Sequence, residues 1–218
     1  MLPEFYKCHK KKLSRQDTII DAYRNIFNTH SIPLDRQYWT LCNYQADNMG
    51  NITEASEIGQ MVNSELIKIN QFYGVDILPE VIKHNKKYIT NANWFTGSLY
   101  DIIIDNLDYF NPSIINIDLN CMMNKSIHII TRILELINAL KTKNIMIVLN
   151  VMITNPRQKT TSQLIEINKS FISKFLKNKS FLNNAVDWNI YKNKIYSYHG
   201  TGKKGKTIMS TLILWKGG

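Results

Sequence analysis

Apolar residues along the chain switch between two periods. In residues 16–30, Ile19, Ile20, Tyr23, Ile26 and Phe27 recur at helical spacing, and Pro33 closes that segment. Residues 38–43 form a strand candidate that runs into a polar loop over 44–51. A helix is predicted over 54–69, with Ile58, Met61, Val62, Leu66 and Ile69 on one face. Residues 72–76 form a short apolar strand. Pro79 then suits the first turn of a helix reaching about Tyr88, because its φ is fixed and its missing donor is not needed there. A third strand is expected over 93–96, and Ser98 with Asp101 has the spacing of a capping box. A fourth is expected over 113–118, followed by a long helix with Ile127, Ile130, Leu134, Ile137 and Leu140 facing inward. Residues 144–153 are almost continuously apolar, as a central parallel strand covered on both faces must be. Thr160 and Gln163 open a last helix, whose stripe is Leu164, Ile167, Phe171 and Phe175.

The pattern changes after residue 185. Strand-like segments 194–198 and 208–215 flank a Gly/Lys turn over 200–207, which predicts a β-hairpin. Strands alternating with helices imply an α/β doubly wound sheet, mostly parallel and finished by this antiparallel pair. Ligands in such sheets bind outside the carboxyl ends of the strands. At 218 residues the chain suits one domain: a basic arm over 1–15, a helix over 16–30, and the sheet with its covering helices over 38–218.

Charge adds a partner to this picture. A formal charge of +10 and a pI near 9.4 favour phosphate backbones, so nucleic acid leads as a partner. Cys8, Cys42 and Cys121 are odd in number and lack CxxC spacing, which argues against a disulfide framework or a zinc site and for a reducing, cytoplasmic location. The basic N-terminus has no apolar stretch behind it, so no signal peptide is expected. The run from Ile145 to Ile153, broken by Asn150, is too short to cross a bilayer, and no membrane partner is expected. The oligomeric state is not legible.

The stretch Phe-Tyr-Gly-Val-Asp-Ile-Leu-Pro-Glu-Val-Ile-Lys-His-Asn over 72–85 resembles the second motif of class I, Rossmann-like S-adenosylmethionine-dependent methyltransferases. The terminal hairpin fits the same family, whose last strand inserts antiparallel. The resemblance implies that Asp76 accepts hydrogen bonds from the ribose hydroxyls of S-adenosylmethionine and that Ile77 lies against its adenine. An ionised carboxylate suits a vicinal diol because it offers acceptors only. The family's glycine-rich loop corresponds to residues 43–51, where Gly50 is the only glycine. Asn43, Gln45, Gly50 and Glu57 are the implied contacts to the amino acid end of the cofactor. The third motif falls at Ser98 and Leu99. The fourth, where the methyl meets its acceptor, reads Asn116-Ile-Asp118-Leu-Asn120-Cys121 and makes Asp118 and Asn120 the catalytic candidates. Asp118 would act as hydrogen-bond acceptor or base. Cys121 as a nucleophile is the weaker alternative to a small buried thiol.

Residues 200–207 match the phosphate-binding Walker A pattern, but a strand-like segment follows where that motif needs a helix, so an ATPase is rejected. The same turn should emerge at the carboxyl ends of the strands. With Arg157 and Lys159 after the fifth strand, Lys203, Lys204 and Lys206 would then form a basic rim that positions a polyanion. The expected function is methyl transfer from S-adenosylmethionine to RNA or DNA. The alternatives are a methyltransferase-like domain that binds nucleic acid or a protein without turnover, and a small-molecule methyltransferase. No metal is expected.

Overall fold

The computed structural model describes residues 9–30, 36–52, 56–140, 144–154, 188–199 and 206–217, with Ser162, Gln163, Glu166 and Ser170 besides. Seven strands, β1 (Gln37–Leu41), β2 (Phe72–Asp76), β3 (Asn93–Thr96), β4 (Pro112–Met122), β5 (Ile145–Thr154), β6 (Trp188–His199) and β7 (Lys206–Lys216), form one sheet. Its order is β3-β2-β1-β4-β5-β7-β6. Strands β1 to β5 pair in parallel, and β7 lies antiparallel between β5 and β6. The described helices are α1 (His9–His30), α2 (Glu57–Asn63), α3 (Pro79–Tyr88), α4 (Leu99–Asp105) and α5 (Met123–Ala139). Among the described residues no helix is long and apolar enough to cross a membrane.

Both sheet faces are covered, which explains the near-continuous apolar runs of β4 and β5. On one face Trp39, Ile115, Ile117, Ile147, Leu149 and Leu212 pack against Leu99 and Ile103 of α4 and Ile130, Ile133 and Ile137 of α5. On the other, Tyr38, Phe72, Ile114, Met146, Val148 and Ile213 pack against Ile19, Tyr23 and Ile26 of α1 and Ile58 and Met61 of α2.

The expected strands over 72–76 and 93–96 and the helix from Pro79 to Tyr88 lie where the sequence pattern puts them. Three elements differ. Helix α1 starts at His9, so the basic residues Lys10 to Arg15 are helical rather than an arm. The helix expected over 54–69 shrinks to Glu57–Asn63, because Glu65 adopts φ 59, which ends the helical course. Leu66 and Ile67 still enter the core, so the apolar stripe outlives the helix. Strand β4 runs on past the expected end at Asp118 to Met122, so Asn120 and Cys121 belong to the strand and not to a loop after it. The helix expected from Thr160 falls largely outside the described residues, as do Arg157, Lys159, Lys203 and Lys204. Lys206 is described only as the first backbone position of β7.

Candidate functional site

Asp76 ends β2 half-buried, beside Thr96 of β3 in register. Its Oδ1 accepts the Leu78 backbone N–H at 2.9 Å. Leu78 is the N-cap residue of α3 and makes no side-chain cap of its own, so Asp76 caps the helix from two residues upstream. Burial pushes the Asp76 carboxyl up from its ordinary value, the Leu78 amide opposes this, and the nearby Glu80 adds to it. Ile77 is 70% exposed and Leu78 47%, so an apolar surface lies open next to a carboxylate. A buried aliphatic pair would need no explanation, whereas an exposed one beside an acid suits a flat ring joined to a diol.

The loop after β1 is strapped to α3. Asn85 is fully buried, accepts the Gln45 N–H on Oδ1 at 2.7 Å and donates Nδ2 to the Asn43 carbonyl at 2.9 Å. His84 Nε2 lies 3.1 Å from the Ala46 carbonyl, and its ring meets Tyr44 and Tyr88 edge-on. Asp47 closes the tip by accepting the Asn51 side-chain amide on Oδ2 at 3.0 Å and the Asn51 and Met49 N–H groups on Oδ1 at 2.9 and 2.8 Å, which together hold its carboxyl below the usual range. Gly50 has φ +89, and a Cβ there would sit 2.5 Å from Tyr88 Cδ1. Tyr88 is the last residue of α3 and Asp76 precedes its first turn, so Gly50 serves the turn and the Tyr88 ring at the far end of that helix. Gln45 is also committed: its Oε1 accepts the Ile58 N–H at 3.0 Å at the start of α2, and its Nε2 donates to the Asn43 carbonyl at 3.2 Å. The Asn43 carbonyl, the Gln45 side chain and Gly50 thus all take part in building the loop.

Glu57, at the first turn of α2, is drawn into the sheet. Its Oε1 accepts the Tyr38 hydroxyl at 2.5 Å and Asn116 Nδ2 at 2.7 Å, and the Thr40 hydroxyl also bonds to it. Asn116 Oδ1 in turn accepts Asn150 Nδ2 at 2.9 Å, and Asn150 Oδ1 accepts the Thr211 hydroxyl at 2.5 Å. A carboxylate can only accept, so the amide of Asn116 must present its nitrogen to Glu57. That orientation fixes Asn150 and then Thr211. One directed chain thus runs from β7 through β5 and β4 to α2, each donor aimed at Glu57. Burial pushes the Glu57 carboxyl up, the donors from Tyr38, Asn116 and Thr40 pull it down, and the charge of Asp118 raises it.

Asp118 stands in register with Asn150, two residues beyond Asn116 on the same face of β4. The structure thus brings Asp118 and Glu57 into electrostatic contact, and β2 presents Asp76 and Ile77 at the same end of the sheet. The thiol of the buried Cys42, just past β1, feels both Asp76 and Glu57 and is pushed well up, chiefly by burial. Ser98 is occupied as the N-cap of α4, accepting the Asp101 N–H at 3.2 Å and donating to Asp101 Oδ2 at 2.6 Å. Leu99 is 3% exposed and its side chain belongs to the core. Asn120 lies in the irregular stretch of β4 between Leu119 and Met122, and its side chain is outside the described residues. Among the described residues no cluster suits a metal ion. Tyr38, Asn85, Asn116, Asn150 and Thr211 were not singled out by sequence reasoning. The one available signal was an amide interrupting an otherwise apolar strand, at Asn116 and at Asn150.

A seven-stranded sheet ordered β3-β2-β1-β4-β5-β7-β6, with β7 reversed and an acid closing β2, is the class I methyltransferase fold. No family model matches the chain, and no curated protein matches it in sequence. Solved structures resemble it in fold. A TehB-like SAM-dependent methyltransferase from Corynebacterium glutamicum is 11% identical with a TM-score of 0.42, over 93% of this chain and 98% of that one. A putative RNA methyltransferase from Pyrococcus horikoshii is 9% identical with a TM-score of 0.47, over 90% of this chain and 84% of that one. Fibrillarin from Aeropyrum pernix, with natively bound S-adenosyl-L-methionine, is 11% identical with a TM-score of 0.42, over 83% of this chain and 68% of that one.

Because its folded value is raised, Glu57 contributes stability below the ordinary glutamate range that is lost as pH rises through the raised value. Glu57→Gln keeps an acceptor for Tyr38 and Asn116 and has no charge to bury. Its urea midpoint should therefore match wild type near pH 4 and exceed it at pH 7–8. Glu57→Ala instead leaves the Tyr38, Asn116 and Thr40 donors without their acceptor and should cost about 1–3 kcal/mol for each donor left unsatisfied. A Gln variant less stable than wild type at neutral pH would contradict the assignment.

Proposed function

We propose that the chain is an S-adenosylmethionine-dependent methyltransferase acting on nucleic acid. The observation that carries the reading is the pairing of Asp76 with the exposed Ile77 at the carboxyl end of β2, in a sheet of this order. The residues present fit the cofactor. Asp76 would accept from the ribose hydroxyls, Ile77 and Leu78 would cover the base, and the acids Glu57 and Asp118 suit a positively charged end. The cofactor supplies an already activated methyl carbon, so the chain's share of catalysis is alignment of the acceptor and removal of its proton. Asp118 on β4 is the candidate for holding that acceptor and taking the proton.

The proposed acceptor class rests on charge. The excess of +10 favours a polyanion, and Lys203 and Lys204 lie in sequence between β6 and β7, with Lys206 opening β7. β7 is antiparallel to both β5 and β6, so β6 runs in the direction of the parallel strands and the residues after it follow its carboxyl end. A binding domain without turnover is the second reading. It is favoured by the loop after β1, whose polar groups are spent on its own fold and on α3.

Calorimetry with S-adenosylhomocysteine decides between them. Binding at sub-millimolar concentration is expected, and Asp76→Ala should weaken it by about tenfold or more, as the loss of hydrogen bonds to a charged group implies. Absence of binding to the wild type would defeat the enzyme reading. For the acceptor, Lys203→Glu with Lys204→Glu should weaken RNA or DNA binding at low salt and flatten its salt dependence. Unchanged binding would rule out the basic rim.

A further inference from the structure

Glu57 occupies a place where a glutamine would serve the Tyr38 and Asn116 donors with its oxygen and could turn its amide nitrogen to the Thr40 hydroxyl, which also accepts, with no charge to bury. Its Oε1 takes the Tyr38 hydroxyl and the Asn116 amide, both of which an amide oxygen accepts equally well. What glutamine lacks is the charge. Among the described residues no lysine or arginine neutralises that charge, and the nearest charged influence is a second acid, Asp118. Burying one carboxylate beside another is unfavourable unless a cation joins them. The chain behind Glu57 also spans more of the sheet than satisfying one carboxylate requires. Asn150 is 1% exposed and Thr211 1%, in positions where valine or leucine would pack without hydrogen bonds to arrange.

We infer that Thr211, Asn150 and Asn116 are positioning residues that hold Glu57 as a fixed anionic acceptor for the cationic, sulfonium-bearing end of the cofactor. This rests on the methyltransferase reading and deepens it. In this chain a glutamate braced from β7 does the work that a glycine-rich loop does elsewhere in the family. The arrangement explains why the loop after β1 can be strapped to α3, with Gln45 and Gly50 withdrawn into its own structure. It also places two functions on opposite sides of β1. Asp76 on β2 meets the neutral nucleoside, and Glu57 with Asp118 over β4 meets the charge. The groups facing Glu57 are Tyr38 and Thr40 from β1, Cys42 just after it, and Asn116 and Asp118 from β4.

The test compares two ligands by calorimetry on the full chain. S-adenosylmethionine carries the positive sulfur and the amino acid end, while 5′-methylthioadenosine carries only the neutral nucleoside. Glu57→Gln should weaken S-adenosylmethionine by about tenfold or more and leave methylthioadenosine within about twofold. Thr211→Val, which breaks the chain at its far end without touching Glu57, should weaken S-adenosylmethionine by about two- to threefold. It should also move the acid limb of binding to higher pH. Equal binding of S-adenosylmethionine by wild type and both variants overturns the inference while the methyltransferase reading stands. A loss in Glu57→Gln with none in Thr211→Val overturns the positioning role. Binding of neither ligand to the wild type overturns the reading itself, and the inference with it.

Discussion

The hydrogen bonds that converge on Glu57 are the constraint around which this end of the molecule is arranged. A carboxylate drawn against a sheet face accepts from everything around it, and that single demand orients Asn116, then Asn150, then Thr211. Four elements distant in sequence are thereby tied at the carboxyl ends of the strands. The antiparallel β7 matters here, because it brings Thr211 into register with Asn150 of β5. The polar chain lies on the face whose remaining positions are filled by Tyr38, Ile114, Met146, Val148 and Ile213, so its members are surrounded by apolar packing and gain strength from it.

A second bracket works on the opposite side of β1. Asn85, buried in the middle of α3, holds the backbone of the loop after β1 through both ends of its amide. The same helix is capped by Asp76, so one ten-residue helix reports on both the loop and the end of β2. The Asp76 oxygen bonded to the Leu78 backbone starts α3, and the half-buried carboxylate stands beside the exposed Ile77 at the carboxyl end of β2, the end at which sheets of this kind bind ligands.

Much of the frame was legible because its signals are local. Pro79, the apolar run over 72–76 and the Ser98–Asp101 spacing each act within a few residues, and the elements they mark lie where expected. The end of α2 was not legible, because Glu65 adopts a left-handed conformation that glycine would normally announce. Gly50 is ambiguous in sequence for the complementary reason. A glycine demanded by a positive φ and a tyrosine ring looks the same in sequence as one demanded by a ligand. Asn85 was hidden altogether, since an asparagine within a helix gives no sign of which distant backbone it holds. Asn116 and Asn150 were visible only as interruptions, and what they do depends on strand pairing that no short-range pattern encodes.

The most direct measurement of this account is a pH titration of the Glu57 side-chain carbon by ¹³C NMR, with the signal assigned by its loss in Glu57→Gln. The account predicts a midpoint above the ordinary glutamate range that moves down when S-adenosylmethionine is added. An ordinary midpoint that the ligand leaves unmoved would contradict it.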